Sequence, residues 1–294
     1  MGQITRDIYN NCVGEHIFSN LENIEHPKAD IYLLHCFKNP KHFQNFILFK
    51  KPYKNSKVIS LIHSSEPCMP AKCSDRVVTI SDSWKKRLER LYNIKSKMIY
   101  GSLNVDEFNC NIDYNNHNFG KITRPEAGKY HNDWNQTVIN VFNSIPDSHC
   151  YIASNEYKKL DYLKHDKMHW IEGINIEENY KKIKFLENIS VHADAHSVNS
   201  NVFVDTFCVV LLECMAAGLA NIIIGKYQPA MVELLGNTGI VCNDIKEFEY
   251  ELIKLLKDPE RKRELGLKAK ERAKLFNQEK MINEYNKLFL ELIK

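Results

Sequence analysis

The chain of 294 residues has no run of 18 or more apolar residues, so no stretch reads as a membrane-spanning helix. Its first residues, Met1-Gly2-Gln3-Ile4-Thr5-Arg6-Asp7, lack the apolar core of a secretory signal and the Ser/Thr of a myristoylation site. A cytoplasmic protein without a lipid anchor is expected. Gly-rich phosphate fingerprints are missing, which argues against dinucleotide-dependent dehydrogenases and P-loop enzymes. No internal repeat or low-complexity segment stands out. Neither sign of charge is in excess: 40 basic and 37 acidic residues leave a net +3, too balanced to point to nucleic acid. Cys68-x4-Cys73 has no partner pair to complete a zinc site. The nine cysteines are odd in number, and several lie in apolar runs where a reduced thiol acts as a small hydrophobe, as in a reducing compartment.

What is present suits a soluble globular chain of two domains, with 44% apolar and 26% charged residues. In the first half, β-type runs at 31–35, 58–63 and 76–80 are separated by Pro-bearing and Lys-rich connectors and read as parallel strands. Ser81-Asp82-Ser83 caps a helix expected to reach about Tyr92, and a short strand is expected at 97–100. An Asn-rich polar stretch at 109–118 suggests a boundary, giving domains 1–112 and 113–277. The second half predicts strands at 118–122, 149–153, 168–171, 189–193, 221–224 and 239–241, alternating with helices at 134–142, 156–163, 177–186, 208–217 and 231–235. That alternation indicates a doubly wound α/β domain. Helices at 246–256, 259–275 and 278–293 close the chain, the last expected to pack back on the first domain. Open parallel sheets bind ligands outside the carboxyl ends of their strands, and His63, Ser81, Asp205 and the residues after Ile122 all follow strands.

The most informative segment is Asp205-Thr206-Phe207-Cys208-Val209-Val210-Leu211-Leu212-Glu213-Cys214-Met215-Ala216-Ala217-Gly218. It places two carboxylates in an apolar stretch, where an unpartnered charge costs several kcal/mol. Asp205 and Thr206 are N-cap candidates and Gly218 a stop. One reading sets a nucleotide-diphosphate-sugar between the carboxylates: Asp205 on sugar hydroxyls, the amides near Cys208 to Val210 on the diphosphate, Glu213 on the ribose. The other pairs Glu213 with a Lys or Arg from elsewhere and leaves Asp205 as a cap. His192-Ala193-Asp194-Ala195-His196 puts three ligand-type side chains on one face of an extended segment, a weak metal signal without an evident fourth ligand. Lys-rich helix faces from Glu260 to Lys274 allow peripheral membrane contact, although solvated faces are commoner.

Asp205-x7-Glu213 followed by Met215-Ala216-Ala217-Gly218-Leu219 resembles the Glu-x7-Glu segment of retaining glycosyltransferases of family 4. Phe119-Gly120-Lys121-Ile122-Thr123-Arg124 through Lys129 is similar to that family's Gly-Arg strand end and downstream Lys. Ser102-Leu103-Asn104-Val105-Asp106-Glu107-Phe108 is similar to its Asn-Gly-Val-Asp linker, and Ile80-Ser81-Asp82-Ser83 to its N-domain strand end. The resemblance implies a GT-B fold, two Rossmann-like domains facing a cleft, here with a shortened N-terminal, acceptor-side domain and a nucleotide-sugar-binding C-terminal one. It implies transfer of a sugar, with retention, from a UDP- or GDP-type donor to a hydroxyl of a glycan, lipid-linked or protein-linked acceptor, without metal or other cofactor. Asp205, His63, Arg124 and Lys129 are the implied catalytic residues. Glu213, Phe207, Cys208, Val209, Gly120, Lys121 and Glu172 are the implied donor contacts. Asp205 stands where the family usually has Glu, Cys208 where it has Gly, and Lys121 where Arg is usual. A non-catalytic sugar-nucleotide or glycan-binding protein derived from the same fold is the alternative.

Overall fold

The computed structural model describes residues 8–12, 29–35, 55–62, 74–123, 129–154, 165–171, 179–196 and 207–294. His63, Arg124, Glu172, Asp205, Thr206, Cys68, Cys73 and the helix expected at 156–163 lie outside the described residues. The chain forms two compact units, Met1–Ser102 with Phe276–Lys294, and Leu103–Leu275.

The first unit holds a four-stranded parallel sheet in chain order: β1 (Ile31–His35), β2 (Lys57–Ile62), β3 (Arg76–Thr79) and β4 (Lys97–Met98). Helix Asp82–Tyr92 connects β3 to β4. Ser81 caps it by accepting from the Trp84 amide, and Asn93 ends it in the left-handed region at φ 53°. Trp84 and Leu88, four apart and hence on one face, pack with Ile62, Val77 and Ile94.

The second unit is built on six parallel strands: β5 (Phe119–Ile122), β6 (Cys150–Ala153), β7 (Met168–Ile171), β8 (Val191–Asp194), β9 (Ala220–Ile224) and β10 (Ile240–Cys242). Their spatial order is β10-β9-β8-β5-β6-β7. The chain runs outward from β5 through β6 and β7, returns to the other side of β5 as β8, and continues outward through β9 and β10. That is the doubly wound order, and its reversal point lies between β5 and β8. One face of the sheet, through Phe119, Ile152, Val191, Ala193 and Ile222, packs on helices Trp134–Ser144 and Ile245–Leu256 by way of Trp134, Val138, Val141, Phe248 and Leu252.

Element bounds depart from the sequence expectation by one or two residues, and two of these shifts have plain local reasons. The Ile189 amide still bonds the Leu186 carbonyl, closing helix Asn179–Leu186, so β8 begins only at Val191. Helix Pro259–Ala273 tightens into the 3-10 turn Lys274–Phe276 and does not continue as α-helix to residue 275.

Candidate functional site

The carboxyl ends of β5 and β8, at the reversal point, carry a buried polar cluster. Lys121 is fully buried, and its Nζ donates to the Lys129 carbonyl and to Asp194 Oδ1, both at 2.7 Å. The same ammonium lies 4.7 Å from the Tyr130 ring and 5.5 Å from the Trp134 ring, where their π faces attract a cation. His196 Nε2 approaches Asp194 Oδ1 at 3.3 Å. Burial alone would push the Asp194 carboxyl up, but His196, Lys121 and His192 outweigh it and hold the group well below the usual carboxylate range.

The structure therefore divides the three ligand-type side chains of the 192–196 segment. Asp194 and His196 meet around Lys121, while His192 Nδ1 turns to Asn221 Oδ1 at 3.1 Å. Burial lowers the His192 imidazole to about 4, so it is neutral at physiological pH. Among the described residues, no group of three or more His, Cys, Asp or Glu side chains is arranged to hold a metal ion.

Helix Val209–Ala217 follows β8 and has buried residues on all sides. Its N-cap is Cys208, which corrects the assignment of Asp205 and Thr206 as caps: both lie upstream of the helix. The four steps from Val209 to Glu213 rise about 6 Å along the helix. The Cys208 side chain makes no capping hydrogen bond and the first turn carries no acidic residue, so among the described residues this helix start has no side-chain cap. The Cys208 φ of −89° is one that any residue adopts, which explains how a side chain stands where the resembling family has Gly. Phe207 and Cys208 are buried at 9% exposure, and Val209 is half-buried.

Glu213, at 2% exposure, sits in the middle of this helix. Its Oε1 accepts from Lys182 Nζ at 2.5 Å, an ion pair with helix Asn179–Leu186. The internal cation of the second sequence reading is thus real, and it was not singled out from the sequence. Lys182 shares its helix face with Phe185 and Leu186, three and four positions on, and a lysine on that apolar face was the available signal. The pair is incomplete, because Glu213 Oε2 is buried with no hydrogen-bond partner among the described residues. Burial pushes the Glu213 carboxyl above its ordinary value, and Lys182 opposes the rise.

Gly120 and Lys121 have internal reasons to be what they are. A Cβ at Gly120 would stand 2.1 Å from the Tyr151 carbonyl on β6, so strand spacing alone demands glycine there. Lys121 directs its ammonium at protein groups, while Lys129, 7% exposed, is fixed through its own carbonyl by that ammonium. The linker-like residues Val105–Phe108 form a 3-10 turn.

Residues 145–272 match the family model of glycosyl transferases group 1. No curated protein matches the chain in sequence. Among solved structures, the chain is similar to a sucrose-phosphate synthase from Thermosynechococcus elongatus, at 15% identity and a TM-score of 0.69, over 90% of this chain and 73% of that one. It is similar to TarM of S. aureus at 13% identity and a TM-score of 0.70, over 90% of this chain and 54% of that one. Anabaena HepE in complex with UDP and glucose matches at 10% identity and a TM-score of 0.68, over 88% of this chain and 78% of that one. The chain thus spans about half the length of TarM and about three quarters of the other two. At these identities the likeness establishes the fold: α/β with parallel sheets, as in GT-B glycosyltransferase structures.

Proposed function

We propose that the protein is a retaining glycosyltransferase, of the kind its sequence resembles in family 4, taking a UDP- or GDP-linked sugar as donor and a hydroxyl of a glycan, lipid-linked or protein-linked acceptor. The observation that carries this reading is a helix start without a side-chain cap, five residues before a buried glutamate whose Oε2 has no hydrogen-bond partner among the described residues. The family match over 145–272 and the shared fold support it.

In this reading the amides near Cys208 and Val209 face the diphosphate, with Phe207 beside them, and Glu213 Oε2 accepts from the ribose. Asp205 takes hydrogen bonds from the sugar, and His63 and Glu172 contribute further donor contacts. Arg124 and Lys129 stabilise the charge that grows on the diphosphate as the glycosidic bond breaks, the electrostatic core of the catalysis. Lys121 and Gly120 act from behind, by fixing Lys129 and keeping β5 and β6 close. Departure of a nucleoside diphosphate held by cationic side chains and amides needs no metal, so no cofactor enters the scheme. A reducing, cytoplasmic setting suits the six buried cysteines of the described residues, none of them joined in a disulfide.

The test is donor turnover with a panel of UDP- and GDP-sugars, with and without EDTA. Chelator-insensitive release of UDP or GDP supports the enzyme. Saturable binding without turnover would make the protein a sugar-nucleotide-binding module instead, and chelator-sensitive hydrolysis would contradict both.

A further inference from the structure

Lys182 is the least expected residue in the second unit. It is a lysine 5% exposed on helix Asn179–Leu186, paired with a glutamate whose second oxygen has no hydrogen-bond partner among the described residues. A buried ion pair kept only for stability is a poor device, since apolar residues of similar volume often serve as well. A buried acceptor left without a partner costs about 1–3 kcal/mol, which favours an occupant that the pair was built to receive.

We propose that Lys182 is a positioning residue for a nucleoside diphosphate: held against Oε1, it fixes Glu213 in one orientation and in its anionic form, with Oε2 left to accept from a ribose hydroxyl. The proposal rests on the ribose role assigned to Glu213 under the proposed function and extends it to a second residue. An ionised carboxylate accepts a shorter and stronger hydrogen bond from a hydroxyl than a protonated one does. The elements packed against helix Val209–Ala217 are Asn179–Leu186, Val105–Phe108, β9, Pro229–Leu235 and Pro259–Ala273. Among the described residues on them, Lys182 is the charged group acting on Glu213. The nearby thiols of Cys110 and Cys214 are pushed up by burial and stay protonated. Without Lys182, burial acts on Glu213 unopposed and its proton is retained at higher pH.

The experiment is UDP and GDP binding by calorimetry from pH 5.5 to 8.5, on the full chain and on Lys182→Met, Lys182→Arg and the pair Lys182→Met with Glu213→Gln. Ionisation of the nucleotide itself is common to all four proteins. Lys182→Met is expected to bind about tenfold or more weakly at the acid end and to recover toward pH 8.5, a slope that the parent and Lys182→Arg lack. The double variant buries no charge at this position and so remains measurable if Lys182→Met fails to fold. It is expected to bind weakly at every pH. Parent-like affinity of the folded Lys182→Met across the range overturns the positioning role alone, whereas parent-like affinity of the double variant removes Glu213 from the ribose role and the positioning role with it. Failure of the parent to bind either nucleotide overturns the ribose reading beneath it.

Discussion

Glu213 shows why substitution at a buried charge must be chosen with its partner in view. Removing it as Glu213→Ala strands Lys182 in the interior, which typically costs about 3–5 kcal/mol and would confuse a binding loss with a folding loss. Glu213→Gln keeps the shape, and we expect it to weaken UDP or GDP binding by about tenfold or more while the protein remains folded. Unchanged affinity in isothermal titration would remove Glu213 from the ribose role. Asp205→Ala is expected to lower kcat with a smaller change in KM, as for a group engaged mainly as the sugar departs. A steady-state comparison of the two parameters decides it.

Lys262 offers a test of stability at the same scale. Its side chain is fully buried, with Nζ donating to the Asn116 carbonyl and, at 3.3 Å, to the Ser190 hydroxyl. Burial lowers its ammonium to about 8, and Asp113 and Asp258 only partly oppose this. Below that value both folded and unfolded forms carry the proton, and the cost of the buried charge is fully present. As the pH rises above about 8 the unfolded chain holds the proton that the folded one releases, so stability due to this group increases with pH. Urea melts at pH 7 and pH 9.5 should show this rise in the parent and not in Lys262→Met. Identical pH responses of the two proteins would contradict it.

Among elements, helices Val209–Ala217 and Pro259–Ala273 touch backbone to backbone. A Cβ at Gly266 would lie 2.1 Å from the Gly218 carbonyl oxygen, to which the Tyr114 hydroxyl also donates at 2.8 Å. Gly266→Ala must therefore part the two helices, and a loss of about 1–3 kcal/mol in thermal or urea unfolding is expected. A gain, as helix propensity alone would suggest, would refute the contact. The elements themselves were legible in the sequence. Alternating apolar runs and caps placed β5 through β10 and the buried helix ending at Gly218 within one or two residues. Their side-chain partners were not. Lys121 occupies a strand end where a cation reads as ligand-facing, and Lys182 lies beside Lys181 and Lys184 in a stretch that reads as a solvated face. Pairing across elements far apart in sequence, 31 positions for Lys182 and Glu213 and 73 for Lys121 and Asp194, leaves no local periodicity to read. Cys208 as N-cap escaped notice because Asp205 and Thr206 are better cappers by type.

For the whole molecule, each sheet carries its own hydrophobic cluster, one around Trp84 and Leu88, the other around Trp134 and Phe248. The proposed nucleotide contacts on described residues all fall in the second. Binding to the folded state deepens its stability by mass action. UDP or GDP should therefore slow hydrogen exchange most at amides of β5, β8 and helix Val209–Ala217, and less at β2 and β3. Equal protection of both sheets would mean that the nucleotide engages the chain through other groups than the proposed ones.

The ammonium wedged between Tyr130, Trp134 and Asp194 has an optical corollary. A positive charge close to an indole shifts its excited-state energy, so the emission of Trp134 should register any displacement of that ammonium. With Trp84 and Trp170 replaced by Phe, the residual fluorescence becomes an intrinsic gauge of the junction between β5 and β8, readable in real time and without a label.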